Sequence, residues 1–225
     1  LFAFMPSPLL ANIQGQYENN PRTGPIKRLY GVDGEMTVWI DDKNKNDKVD
    51  SGEKAYLYFG LRRGGTAYYA LDISDPSDPS LVWTIDDSTP KFNQLAQTWS
   101  KPTMGKLRYK DSDSVKFEKV LIFGGGYDAS VYDEENASSR ATGDLKGNGI
   151  YIVNAKTGAH IWSYEGGELN DSVPSNIRTL DIDRDGSIDR LYFGDLGGNV
   201  WRVDLNVDNV DNDASVHDVE NDARI

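Results

Sequence analysis

Asp181, Asp183, Asp185 and Asp189 occupy positions 1, 3, 5 and 9 of the run Asp181-Ile182-Asp183-Arg184-Asp185-Gly186-Ser187-Ile188-Asp189, with Gly186 at the sixth place. Carboxylates at alternate positions can fold a short loop around one hard cation, and Ca²⁺ takes about six to eight oxygen ligands. Ser187, at position 7, offers its backbone carbonyl, and Gly186 permits the sharp turn before it. Four carboxylates this close repel one another unless a cation lies between them. The competing reading is a solvated acidic turn, since Asp and Gly are also ordinary turn residues. The spacing favours the ion, and the ion it fits is calcium.

A second run repeats the pattern. Asp42, Asn44, Asn46 and Asp50 take positions 1, 3, 5 and 9, Lys48 offers a carbonyl at position 7, and Glu53 falls at position 12, where a bidentate carboxylate closes an EF-hand loop. Asp47 replaces Gly at the sixth place and three lysines are interleaved, so this is read as the weaker calcium site, against a plain charged loop. Both runs stand just before a strand-like segment, Tyr56-Leu57-Tyr58-Phe59 in one case and Arg190-Leu191-Tyr192-Phe193 in the other. The ions would pin equivalent inter-strand loops.

The strands that must position these loops come as a weak internal repeat. Leu57-Tyr58-Phe59-Gly60 leads to Tyr68-Tyr69-Ala70-Leu71-Asp72; Leu121-Ile122-Phe123-Gly124 leads to Ile150-Tyr151-Ile152-Val153-Asn154; Leu191-Tyr192-Phe193-Gly194 leads to Val200-Trp201-Arg202-Val203-Asp204. Each unit is a strand ending in Phe-Gly, a glycine-rich turn and a second strand. The first and third turns read as tight hairpins. The middle one carries a polar insertion, including Tyr132-Asp133-Glu134-Glu135-Asn136, expected to be a surface loop. Further strands are expected at 35–40, 81–85, 103–107 and 161–164, from their β-branched and aromatic content. Helical periodicity is nearly absent apart from a short turn at 92–98. The fold class is all-β, a modified β-propeller with calcium-binding loops. The long repeat leaves room for three or four blades, so either the blades are shorter and more numerous or the propeller is incomplete. Trp83, Trp162 and Trp201 are expected to pack between blades, and the Lys156-Thr157-Gly158 turn to link two outer strands.

Composition narrows the function. The chain has 225 residues, a net charge of −12 and a pI near 4.6, which argues against nucleic-acid binding because a phosphate backbone would be repelled. Cysteine is absent, so disulfides, thiolate zinc sites and cysteine nucleophiles are excluded. The apolar start at residues 1–5 is too short for a signal peptide and is interrupted by Pro6 and Pro8; no apolar stretch reaches the length of a transmembrane helix. Residues 1–225 read as a single propeller-type domain, a piece of a larger protein. The Asp/Asn-rich stretch 208–213 reads as solvated loop, and His160 and His217 as surface residues.

The segment from Asp181 to Leu205 resembles the calcium-loop and strand signature of the PilY1/PilC family of type IV pilus proteins. Leu1-Phe2-Ala3-Phe4-Met5-Pro6-Ser7, Val32-Asp33-Gly34 and Gly65-Thr66-Ala67-Tyr68-Tyr69-Ala70-Leu71-Asp72 extend the resemblance to that family's C-terminal domain. It implies a modified propeller at the end of a large secreted protein of the pilus tip, outer membrane or bacterial surface. Its roles there would be pilus assembly, control of retraction, twitching motility and surface attachment, with pilin or minor-pilin subunits as partners. It also implies calcium ligands at Asp181, Asp183, Asp185, Ser187 (carbonyl) and Asp189. Two other readings compete. A calcium-stabilised adhesive propeller similar to integrin FG-GAP repeats would bind a host surface ligand. A quinoprotein-like dehydrogenase is disfavoured by the lack of adjacent cysteines and of an acid/base cluster beyond the cation loops, so the chain is read as no enzyme.

Overall fold

The computed structural model describes residues 2–18, 29–46, 48–111, 114–133 and 146–205. Among the described residues, eleven strands form three antiparallel sheets, each a meander in which chain neighbours pair. The first holds β1 (Met36–Ile40), β2 (Ala55–Gly60), β3 (Tyr68–Asp72) and β4 (Ser80–Ile85). The second holds β5 (Thr103–Asp111), β6 (Ser114–Gly124), β7 (Gly149–Asn154) and β8 (His160–Glu165). The third holds β9 (Arg178–Leu180), β10 (Arg190–Gly194) and β11 (Val200–Asp204). These are three blades of a β-propeller, of four, four and three strands, whose ring does not close among the described residues.

Every Phe-Gly repeat is the second strand of its sheet, and the period-2 alternation of side chains lets it face two neighbours at once. On β2, Tyr56 and Tyr58 point at the second sheet, joining Tyr68, Trp83, Leu121, Phe123, Tyr151 and Val153 in one apolar core. On β6, Val120 and Ile122 turn the other way, into the core shared with Leu191, Phe193, Trp201 and Val203 of the third sheet. The remaining face of the first sheet, with Phe59 and Tyr69 directly paired, is covered by the N-terminal segment through Phe4 and Leu9. That segment stands where a preceding sheet stands for the other two blades. It contains a 3-10 turn (Ser7–Asn12) and the short helix α1 (Ile13–Glu18), neither apparent in the sequence.

The glycines of the first two repeats have a steric reason: a methyl at Gly60 would sit 2.7 Å from the Thr98 carbonyl, and one at Gly124 would overlap that of Val173. Both carbonyls belong to chain that has just left the fourth strand of the same sheet. The tryptophans pack between blades as expected: the Trp83 indole N–H donates to Ala155 O across the first two sheets at 3.1 Å, and Trp162 lies against the core of the second and third.

Several expectations are corrected. The connections at 61–67 and 195–199 are longer than two-residue hairpins, the first containing a 3-10 turn (Arg62–Gly64). The insertion after Gly124 is no mere surface loop at its start. Gly125, Gly126, Asp128 and Val131 are buried, and α2 (Ala129–Tyr132) is capped by the Asp128 carboxylate accepting from Ser130 N–H; residues 134–136 lie outside the described residues. Residues 92–98 do hold the expected short turn, with Leu95 N–H donating to Phe92 O at 2.9 Å, but the segment also buries Phe92, Leu95, Ala96 and Thr98. His160 is no exposed turn residue: it opens β8, contacts the Phe92 ring edge-on at 5.7 Å and pairs with Ser163 Oγ at 2.9 Å, and burial holds its pKa below the ordinary value. His217 and the stretch 208–213 lie outside the described residues. No helix among the described residues is long and apolar enough to cross a membrane.

Candidate metal centre

Both acidic runs connect the first strand of a sheet to the second: residues 41–54 join β1 to β2, and residues 181–189 join β9 to β10. The two loops share one backbone design. Asp181 Oδ1 accepts from the Arg184 N–H at 2.7 Å, and Asp42 Oδ1 from the Lys45 N–H at 2.6 Å. At the third position, Asp183 Oδ1 accepts from Asp185 N–H at 3.0 Å and Asn44 Oδ1 from Asn46 N–H at 3.1 Å. At the fifth, Asp185 Oδ1 accepts from Ser187 N–H at 2.6 Å and Asn46 Oδ1 from Lys48 N–H at 2.9 Å. These side-chain-to-backbone bonds curl the chain so that alternate side chains converge. Arg184 and Lys45, both fourth in their loops, share a left-handed backbone, φ +65° and +58°. Gly186 takes φ +88° as its position requires, and a methyl there would meet nothing within 4 Å, so the glycine answers to backbone conformation alone.

Beyond that frame the loops differ. In the third sheet Asp181, Asp183 and Asp189 each present a carboxylate oxygen, and these oxygens lie within 4.8 Å of one another. Oxygens that close suit a shared cation, and the donor set of carboxylates is that of a hard ion. Asp189 Oδ2 accepts from the Ile182 N–H at 2.5 Å, closing the loop on its own start. Ser187 is 1% exposed and its Oγ is without a hydrogen-bond partner. The residues present fit calcium. Asp185 stands outside the cluster of three, with one oxygen on the Ser187 N–H.

In the first sheet Asp50 Oδ2 accepts instead from the side-chain amides of Asn44 at 2.9 Å and Asn46 at 2.7 Å, and these bonds hold its carboxyl below the usual range. Glu53, 6% exposed, takes the Lys43 N–H at 2.9 Å and Asn44 N–H at 3.3 Å on one oxygen and the Asp50 N–H at 3.0 Å on the other. Glu53 thus does for this loop what Asp189 does for the other: it ties the end to the beginning. Lys43 Nζ donates to Gly52 O at 2.7 Å, and Asp47 lies outside the described residues. The amides neutralise through hydrogen bonds what a cation neutralises by charge. In the second sheet only two residues, 112 and 113, separate the first strand from the second, too few for such a loop, and they lie outside the described residues.

The chain is similar to known proteins over nearly its whole length. A family model described as the PilY1 beta-propeller domain matches residues 17–224. The type IV pilus biogenesis factor PilY1 of Pseudomonas aeruginosa strain PAO1 is 31% identical over 217 residues, covering 94% of this chain and 16% of that protein. A PilY1 homolog of Xylella fastidiosa strain Temecula1 is 26% identical over 218 residues, 91% of this chain and 12% of that protein. Among solved structures, the C-terminal domain of Pseudomonas aeruginosa PilY1 superposes with a TM-score of 0.57 at 26% identity, covering 91% of this chain and 34% of that one. The chain spans less than a fifth of the length of these two relatives.

Proposed function

The chain belongs to the PilY1 family, matching its propeller domain over residues 17–224, and from that membership we propose that it is a calcium-binding module of a type IV pilus biogenesis factor. Residues 1–225 act as one propeller-type domain. The tighter ion is held by Asp181, Asp183, Asp185, the Ser187 carbonyl and Asp189. A weaker one is held by Asp42, Asn44, Asn46, the Lys48 carbonyl and Asp50, with Glu53 bracing the loop. The observation that carries this reading is the convergence of the Asp181, Asp183 and Asp189 oxygens within 4.8 Å, at the place in a blade where Ser187 and Ile188 enter the interior. Bound calcium supplies positive charge that relieves carboxylate repulsion and orders the loop. This chain's own part is to aim the oxygens, through the bonds to the Arg184, Asp185 and Ser187 amides.

The ordered domain then presents a surface to pilin or minor-pilin subunits at the pilus tip or outer bacterial surface. There it supports assembly, restrains retraction and serves twitching and attachment. It is a binding module, with no chemistry of its own. Calcium switches such a role only if the bound and free forms differ in affinity for the partner.

Piliation and twitching of cells carrying Asp189→Ala in the full-length protein test this reading. Altered pilus number or twitching zone at normal protein abundance supports it; unchanged piliation contradicts it. Capture of pilin subunits against capture of host receptors, with and without calcium, separates the pilus role from an adhesive one.

A further inference from the structure

The Asp181–Asp189 loop has two halves with different surroundings. Asp183 and Asp185 are exposed and Ile182 is 49% exposed, whereas Ser187 and Ile188 are 1% and 6% exposed. Ile188 enters the core between the second and third sheets, beside Leu107, Val120 and Leu191. Its N–H donates to the Lys106 carbonyl on β5 at 2.9 Å, and its side chain fills the space beside Gly105, where any β-carbon would overlap Ile188 Cδ1. The next residue completes the anchorage: Asp189 N–H donates to Leu180 O at 2.9 Å, and Asp189 O accepts from Leu205 N–H at 2.7 Å. One short segment therefore carries a carboxylate of the cation cluster and the seam that joins two blades.

We propose that calcium at this loop clamps the third sheet onto the second, with Ile188 as the coupling residue; the proposal rests on the calcium reading above. Without the ion, Asp181, Asp183 and Asp189 relieve their repulsion by moving apart. Asp189 cannot move without drawing on Ile188, because the two are joined by one peptide bond and both are fixed by backbone hydrogen bonds to flanking strands. Loop opening therefore lifts Ile188 from Gly105 and loosens Leu205 at the end of β11. With the ion bound, the same opening also costs the binding free energy of calcium. The first sheet's loop meets the second sheet through the ion pair of Asp41 with Lys156 at 2.7 Å and inserts no core residue at the matching place. Its eighth residue, Val49, is 38% exposed, so an ion there leaves sheet docking unchanged.

Amide hydrogen exchange on the whole chain, in CaCl₂ against EGTA, tests the clamp alongside calorimetric CaCl₂ titration of the same samples. Calcium at a hundred times its Kd is expected to slow exchange at Ile188 and Leu205 by about 100-fold while leaving β1 and β2 unchanged. Ile188→Ala is expected to keep a calcium isotherm but to lose about ten-fold or more of the slowing at Leu205. Gly105→Val approaches the contact from β5 with every loop residue intact, and is expected to cause the same loss; it serves should Ile188→Ala not fold. A wild-type isotherm with unchanged exchange at Ile188 and Leu205 overturns the clamp and leaves the calcium reading standing. Absence of any isotherm overturns the calcium reading itself. Full slowing in variants that still bind calcium overturns the role of Ile188.

Discussion

Arg184 and Lys45, more than a hundred residues apart, are the same residue of one loop design: each follows the third position with a left-handed backbone, φ +65° and +58°, and each N–H is held by an Asp at the first. Side chains other than glycine rarely adopt this conformation, because the β-carbon crowds the following carbonyl. That two sheets of one chain both use it shows that the design answers to the loop and not to the local sequence, which reads Asp-Arg-Asp in one and Asn-Lys-Asn in the other.

Backbone strain in the Asp181 loop is therefore testable apart from its charges. Gly186→Ala, at φ +88° with open space around the new methyl, is expected to cost about 1 kcal/mol in urea unfolding. Arg184→Gly is expected to be neutral to within about 0.5 kcal/mol and to keep calcium affinity, because glycine relieves the φ while adding chain entropy. A neutral Gly186→Ala would show that the turn does not depend on glycine.

The Asp42 loop is expected to gain calcium affinity when Asn44 and Asn46 become aspartates. Both amides now donate to Asp50 Oδ2. Replacing them by carboxylates removes those bonds and adds negative charge, so Asn44→Asp with Asn46→Asp should bind calcium more tightly while lowering the melting temperature in EGTA. Thermal unfolding in EGTA and in CaCl₂ reads both effects; equal melting temperatures for variant and wild type in the two buffers would contradict this account of Asp50.

Docking of the first sheet on the second is expected to depend on Trp83, which stacks on Tyr58 at 5.9 Å and donates to Ala155 O. Trp83→Phe keeps an aromatic ring and loses that bond, so about 1 kcal/mol is expected to be lost. Trp83→Ala leaves a cavity and should cost about 3–5 kcal/mol. Chemical denaturation measures both, and a smaller loss for alanine than for phenylalanine would show that the indole does not join the sheets.

Much of this architecture was legible because the Phe-Gly strands have both faces buried, which makes them short, apolar and bounded by glycines. What escaped did so for physical reasons. β9 is three residues, Arg178-Thr179-Leu180, too short for any period to show. β5 and β6 run on past their apolar ends into an alternating charged stretch, where Lys106 and Arg108 pack over the Phe117 ring across the pair; a charge pattern reads as loop when its partner strand is unknown. The burial of Gly125 and Gly126 depends on chain returning at Ala96, Gln97 and Val173. The burial of His160 is hidden from its local sequence because Phe92, which packs against it, is 68 positions away. Of the candidate metal centre, the convergence of Asp181, Asp183 and Asp189 and the left-turning Gly186 were readable from spacing. The amide caps on Asp50, the backbone role of Glu53 and the insertion of Ile188 were not, since each depends on which group the folded chain brings opposite.

Calorimetric titration of CaCl₂ into the wild type, beside Asp189→Ala and Asp50→Ala, tests the central claim most directly. Asp189→Ala is expected to abolish the tighter site, because it removes one of the three converging carboxylates and the bond that closes the loop on Ile182; Asp50→Ala is expected to leave that site intact. No binding by the wild type at millimolar calcium, or an isotherm unchanged by Asp189→Ala, would contradict the claim that the Asp181–Asp189 loop is a calcium site.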